Sequence, residues 1–229
     1  MEIIDNKALL LKLRHPRQVT TVIPKSKEVN GKVLVKWGVD ETHVLKNLNI
    51  NVPSPINGRY DWPGQYKPFK HQKTTSAFLT MNRKAFCFNE QGTGKTASAI
   101  WASDFLIKQG IIKRVLVICP LSIMDSAWRN DLFSFAMHRS VDVAYGSADK
   151  RRKIINSGAE YVIINYDGVA IVADAISSGG FDLIIVDEAT HYKNAQTTRW
   201  KTLNKVLKPD TWLWMMTGTP AAQSPLDAY

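Results

Sequence analysis

Phe88-Asn89-Glu90-Gln91-Gly92-Thr93-Gly94-Lys95-Thr96 follows an apolar run, Ala85 to Phe88, and opens a helix-like stretch. A glycine-bearing loop between a strand and a helix is the setting a phosphate cradle requires. Gly92 and Gly94 let the backbone N–H groups of Gly92 to Thr96 turn inward around phosphate oxygens, and the following helix aims the positive end of its dipole at the same place. Lys95 would then reach the β- and γ-phosphates of a nucleotide, and Thr96 would ligate Mg²⁺. The eight-residue form of this pattern has glycine where the chain has Asn89.

Further along, Phe181-Asp182-Leu183-Ile184-Ile185-Val186 reads as a fully buried strand that ends directly in Asp187-Glu188-Ala189-Thr190-His191. Adjacent carboxylates at a strand's end fit metal-assisted phosphoanhydride hydrolysis. Asp187 would hold Mg²⁺ and Glu188 would orient and deprotonate the attacking water. The plain alternative is a capped strand end, since acidic residues also favour helix starts. A third buried run, Trp212-Leu213-Trp214-Met215-Met216, leads into Thr217-Gly218-Thr219-Pro220, whose small hydroxyl residues would hydrogen-bond the carboxylate pair and sense the γ-phosphate.

G-T-G-K-T, D-E-A-T-H and T-G-T-P, in this order, resemble motifs I, II and III of superfamily 2 helicases and translocases, most closely the SNF2-related branch. Lys67-Pro68-Phe69-Lys70-His71-Gln72 resembles that family's adenine-reading segment, which implies that Gln72 bonds the adenine edge and Phe69 packs beside it. Cys119-Pro120-Leu121-Ser122, with Trp128 downstream, resembles motif Ia, and Ile164-Asn165-Tyr166-Asp167 resembles the segment called Ib or Ic. The resemblance implies that Pro120, Leu121, Ser122, Asn165 and Tyr166 face a nucleic-acid backbone. It also implies that His191, Thr217, Gly218 and Thr219 couple the nucleotide to the rest of the motor. The chain departs from the family's D-E-A-H run: Thr190 stands in the histidine's place and His191 follows it.

The resemblance spans about residues 59–229 and implies a RecA-like lobe using ATP and Mg²⁺, with duplex or branched DNA as partner. It implies a second RecA-like lobe, beyond this chain, that brings arginine to the γ-phosphate; this piece alone would then turn over weakly. The compact lead-in and the short T-G-T-P-A-A-Q-S-P ending are most similar to small SNF2-like helicases of bacteriophages. That similarity implies a cytoplasmic location, in the host if phage-encoded. Two other readings stay open: an RNA helicase, against which P-L-S and T-G-T-P argue, and a non-hydrolysing nucleotide-dependent scaffold, against which Lys95, Thr96, Asp187 and Glu188 argue.

Strand-like apolar runs at Ala85–Phe88, Arg114–Ile118, Val141–Tyr145, Glu160–Asn165, Phe181–Val186 and Thr211–Met216 alternate with helix-like stretches. The alternation predicts an α/β fold with a parallel sheet covered by helices. Ligands of such sheets sit at the carboxyl ends of strands, where all these motifs fall. Residues 1–58 read as a small, mostly β accessory domain. Its expected strands are Ala8–Leu13, Gln18–Ile23 and Lys32–Trp37, with Asn30-Gly31 a hairpin-like turn and Asp40–Leu48 a helix.

A net charge of +10 favours a polyanionic partner. Solvation is the default for the run Lys150-Arg151-Arg152-Lys153 and competes evenly with DNA contact for the basic accessory domain. Trp212 and Trp214 are better suited to core packing than to base stacking. Cys87 and Cys119 lack the spacing of a zinc site or a disulfide framework. No apolar stretch approaches the roughly 20 residues that span a bilayer, and the acidic N-terminus has no secretory pattern.

Overall fold

The computed structural model describes residues 1–192, 194 and 196–219. The chain divides into two compact units, Met1–Asp61 and Trp62–Tyr229.

In the first unit, β1 (Glu2–Ile4), β2 (Ala8–Leu11), β3 (Lys27–Val29) and β4 (Lys32–Lys36) form an antiparallel sheet in the order β1-β2-β4-β3. β2 and β4 bury alternate residues, as expected of a sheet with one covered face. Leu9, Leu11, Val33 and Val35 cluster with Val19, Trp37 and Leu45. Asn30 (φ 51°) and Gly31 (φ 70°) both take left-handed backbone and join β3 to β4 as a tight hairpin.

The segment Gln18–Ile23, expected as a strand, instead lies in helix α1 (Pro16–Val22) up to Val22, with Ile23 as its C-cap. Its valines and threonines favour strands intrinsically, but Pro16 in the first turn presets helical φ. Val19 and Ile23, four residues apart, then reach the same apolar cluster. The hairpin's first strand is therefore Lys27–Val29. Helix α2 (Val39–Asn47) buries Leu45, and α3 (Ile56–Arg59) buries Ile56.

The second unit opens with α4 (Lys70–Thr80), β5 (Lys84–Cys87) and α5 (Lys95–Lys108). Next come β6 (Val115–Cys119), a 3-10 turn (Leu121–Ile123), a π-helical turn (Met124–Arg129) and α6 (Asn130–Phe135). β7 (Val141–Ala144), α7 (Ala148–Ile155), β8 (Tyr161–Asn165), α8 (Tyr166–Ile171) and α9 (Ala173–Ser178) follow. β9 (Leu183–Val186), α10 (Thr198–Val206) and β10 (Trp212–Met216) complete it.

The strands make one six-stranded sheet in the order β5-β10-β9-β6-β8-β7, parallel at every pairing. Every residue of β6, β9 and β10 is buried, which is why these strands read as unbroken apolar runs. Ile118, Ile164, Ile184 and Met215 pack with Val169, Ile176, Leu203 and Val206 on one face. On the other, the hydroxyls of Ser103 in α5 and Tyr161 in β8 meet at 2.8 Å. Trp212 and Trp214 are 4% and 0% exposed, so both pack in the core. Cys87 and Cys119 are buried free thiols. Among the described residues no helix is long and apolar enough to cross a membrane.

Asp104 is fully buried in α5 and accepts from Arg139 Nε at 2.6 Å and pairs with His138 at 2.9 Å. Arg139 also donates to Glu160 at 2.6 Å, so one ionic group ties α5 to the strand ends opposite the motif loops. Breaking a buried pair leaves an uncompensated charge. Asp104→Ala is accordingly expected to cost about 3–5 kcal/mol, read as a lowered urea midpoint for the larger unit.

Candidate functional site

The loops after β5, β10, β9, β6 and β8 carry G-T-G-K-T, T-G-T, D-E-A-T-H, P-L-S and N-Y-D, and their strands are consecutive neighbours in the sheet. Sheet order alone brings residues distant in sequence to one edge. The first three loops lie side by side, and the other two continue the row.

In the loop after β5, Gly92 and Gly94 have φ of 75° and 74°. A Cβ on Gly92 would meet nothing within 4 Å, whereas one on Gly94 would run into Gln72 Nε2. Gly94 caps the start of α5, so both glycines perform the turning expected of them. Asn89 is not among the residues with left-handed backbone. Its amide donates to Thr75 Oγ1 at 2.7 Å, anchoring the loop to α4, and glycine is not needed there. Lys95 Nζ donates to the carbonyls of Asn89 and Glu90, each at 3.0 Å.

Gln72 lies in the first turn of α4. Its Oε1 accepts from Phe69 N at 2.9 Å and its Nε2 donates to Thr93 O at 3.3 Å, linking the lead-in segment to the glycine loop. The Phe69 ring is 68% exposed and stacks on His71 at 5.8 Å.

Asp187 is 6% exposed at the end of β9. Its Oδ2 accepts from Trp128 Nε1 at 2.9 Å, and its Oδ1 accepts from Glu188 N at 3.0 Å. Burial pushes its carboxyl above the usual range, against the lowering effects of the Trp128 and Glu188 hydrogen bonds and of the Lys95 charge. A raised acid pKa means that its contribution to stability is present below the unfolded pKa and lost as pH rises through the folded one. The ionised form is thus kept at the expense of the fold. Glu188 is the next residue and takes φ 50°, a left-handed conformation that costs a non-glycine residue about 1–2 kcal/mol. Such strain concentrates where a side chain must be aimed.

Several other expected residues have partners of their own in the structure. Tyr166 is buried, and its hydroxyl donates to the Asp187 carbonyl at 2.5 Å. That bond braces the carboxylate strand. Asn165 Oδ1 accepts from Arg151 Nη1 at 2.9 Å. Arg151, expected as a solvated member of its basic run, is 6% exposed and also donates to the Ala144 and Gly146 carbonyls.

Thr217 Oγ1 accepts from Thr219 N at 3.1 Å. Among the described residues, no hydrogen bond joins Thr217 or Thr219 to Asp187 or Glu188. Gly218 lies against the glycine loop, since a Cβ there would come within 2.7 Å of Gln91 Cγ and 3.3 Å of Lys95 Nζ. The exposed His191 packs its ring 4.9 Å from Tyr166. Leu121 and Ser122 are exposed, Leu121 by 54%. Pro220 lies outside the described residues.

The role of Trp128 as an Asp187 partner was not legible beyond its membership of the P-L-S segment. Among the described residues, no group of three or more His, Cys, Asp or Glu could hold a metal ion. A hydroxyl (Thr96) of the glycine loop and one carboxylate (Asp187) nevertheless suit Mg²⁺, which uses few protein ligands and completes its shell with phosphates and water.

Fold and site together define a RecA-like lobe of the superfamily 2 type. The SNF2-related domain model matches residues 67–229, and the chain belongs to that family. It is 29% identical over 148 residues to putative protein p41 of Acyrthosiphon pisum secondary endosymbiont phage 1, covering 60% of this chain and 32% of that protein. It is 27% identical over 143 residues to an uncharacterized ATP-dependent helicase of Mycoplasma genitalium, covering 62% of this chain and 14% of that one.

The SWI2/SNF2 ATPase core of Sulfolobus solfataricus, solved in complex with double-stranded DNA, shares the fold with a TM-score of 0.64. It is 24% identical, and the match covers 72% of this chain and 35% of that one. The chain therefore spans about a third or less of the length of these relatives.

Restoring the glycine that the loop pattern asks for is expected to harm the protein. Asn89→Gly removes a side-chain hydrogen bond worth about 1 kcal/mol and adds about 0.5–1 kcal/mol of unfolded-state entropy. A denaturant titration should show the combined loss of about 1–2 kcal/mol while nucleotide affinity, followed by calorimetry, stays unchanged.

Proposed function

We propose that this chain is the first motor lobe of an ATP-dependent DNA translocase or helicase, coupling ATP hydrolysis to movement on, or remodelling of, duplex or branched DNA. The observation that carries the reading is the contiguity of the glycine loop, the T-G-T loop and the Asp187-Glu188 pair on three neighbouring strands, with the P-L-S and N-Y-D segments next in line. Membership of the SNF2-related family and the DNA-bound state of the Sulfolobus solfataricus ATPase core support it.

In this reading the backbone N–H groups of Gly92 to Thr96 bind the β- and γ-phosphates. Lys95 leaves the Asn89 and Glu90 carbonyls to pair with phosphate oxygens. Gln72 and Phe69 take the adenine. Thr96 and Asp187 hold Mg²⁺, which when bound neutralises charge on the phosphate oxygens. Glu188, aimed by its left-handed backbone, orients the attacking water and accepts its proton.

Gly218, packed against Gln91 and Lys95, reports the state of the glycine loop to β10, and His191 couples the carboxylate loop to Tyr166. Pro120, Leu121, Ser122 and Asn165 line the side that meets the phosphate backbone of DNA. A second RecA-like lobe supplying arginine to the γ-phosphate belongs to the same proposal. So does contact with the DNA backbone through exposed Lys12, Arg14, Arg17, Lys25 and Lys27 of the first unit.

Lys95→Ala is expected to abolish productive ATP binding, and Glu188→Gln to leave binding intact while stopping hydrolysis. Steady-state turnover of the chain extended through its natural C-terminus, with single-stranded, duplex and forked DNA and with RNA, checks the whole reading. Strong stimulation by duplex or forked DNA that is lost in Lys95→Ala is the expected result. Stimulation by RNA alone would overturn the choice of partner, and unchanged turnover in Glu188→Gln would remove that residue's role.

A further inference from the structure

The segment after β6 has two sides of different character. Outward, Leu121, Ser122, Asp125 and Arg129 are exposed, and Arg129 pairs with Asp125 at 3.3 Å. Inward, Met124 and Trp128 are buried. The backbone between them, Met124–Arg129, is a π-helical turn. Such a turn inserts a residue into the helical repeat and re-aims the side chains around it, and it recurs at functional sites. Here it places Trp128 fully out of solvent with Nε1 2.9 Å from Asp187 Oδ2.

We propose that Trp128 is a positioning residue for the metal-holding carboxylate: its indole N–H fixes the Asp187 side chain in the orientation that receives Mg²⁺ with the nucleotide. The inference rests on the proposed function and deepens it. Indole is a donor only, so this contact cannot reverse its polarity and can serve only a carboxylate oxygen or another acceptor. With Glu188 N on Oδ1 and Trp128 on Oδ2, each Asp187 oxygen has one fixed donor and retains lone pairs for a metal or its water.

An outer partner of this kind sets the orientation of a metal ligand, and its loss costs about 10- to 100-fold in metal affinity. The segment that carries Trp128 also presents Leu121 and Ser122 outward.

The test replaces Trp128 alone by 3-benzothienylalanine, which keeps the bicyclic shape and exchanges N–H for sulfur. Trp128→Phe serves as the genetically simple second variant. The control makes the same benzothienyl exchange at Trp214, an equally buried indole whose Nε1 donates to the Asn82 carbonyl at 2.9 Å. Mn²⁺ binding to each protein with a non-hydrolysable ATP analogue is measured by electron paramagnetic resonance. Metal-free affinity for the analogue is measured by calorimetry.

Loss of the N–H at position 128 should weaken Mn²⁺ binding by about tenfold and leave metal-free nucleotide affinity unchanged. The exchange at 214 should alter neither. Metal affinity unchanged at 128, or lowered equally at 214, overturns the positioning role while leaving the proposed function standing. If the unaltered protein binds no Mn²⁺–nucleotide, both fall together.

Discussion

A carboxylate held almost out of water sets the terms for the rest of the RecA-like lobe. Asp187 closes a strand whose every residue is buried, and an ionised group there is tolerated only with donors at both oxygens. One donor is the next backbone N–H; the other is Trp128. Tyr166 secures the Asp187 carbonyl as well. Trp128 lies in the segment that follows β6 and Tyr166 directly after β8, and the order β9-β6-β8 is what brings them to Asp187. Asparagine at 187 could not substitute cleanly, because its amide would turn an N–H toward one of the two donors. The charge, its donors and the strand order therefore form one requirement, met by residues spread from 128 to 188.

The parallel sheet was readable because strands buried on both faces have no polar alternation to hide them. Val115–Cys119 and Leu183–Val186 stand out as apolar runs, and their observed ends lie within two residues of the expected ones. The glycine loop was readable because Gly92 and Gly94 serve a backbone need that only glycine meets cheaply. Asn89 looked like a defect under the same pattern because its compensation, the bond to Thr75, depends on a helix earlier in the chain. Gln18–Ile23 misled for the opposite reason. Its β-branched composition spoke for a strand, while one proline and two apolar residues a turn apart decided for a helix.

Arg151 and Glu188 mark a different limit. Four consecutive basic residues on a helix cannot all face solvent, since successive residues turn by about 100° around the axis. Arg151 is the one that turns inward, where carbonyls of Ala144 and Gly146 and the Asn165 amide oxygen accept its protons. The burial of one member follows from the helix, but its partners follow from the sheet. The left-handed φ of Glu188 has no local signal at all. Its cost is borne because Val186 and Asp187 are locked in the sheet and its donor set, which leaves Glu188 as the point where the chain must change direction.

Strand order also determines which loops lie side by side. The edge from β5 through β10 to β9 gathers the glycine loop, the T-G-T loop and the carboxylates, and the edge from β6 to β8 gathers the P-L-S and N-Y-D segments. The two halves meet between β9 and β6, neighbouring strands about 4.8 Å apart. Trp128 bonds Asp187 across that boundary, and Tyr166 reaches over it from β8. In the proposed motor, communication between the halves would need no path through the helices or the core. Under that proposal it would need only that the turn at Met124–Arg129 shift relative to β9, because the buried Trp128 indole is bonded directly to the Asp187 carboxylate.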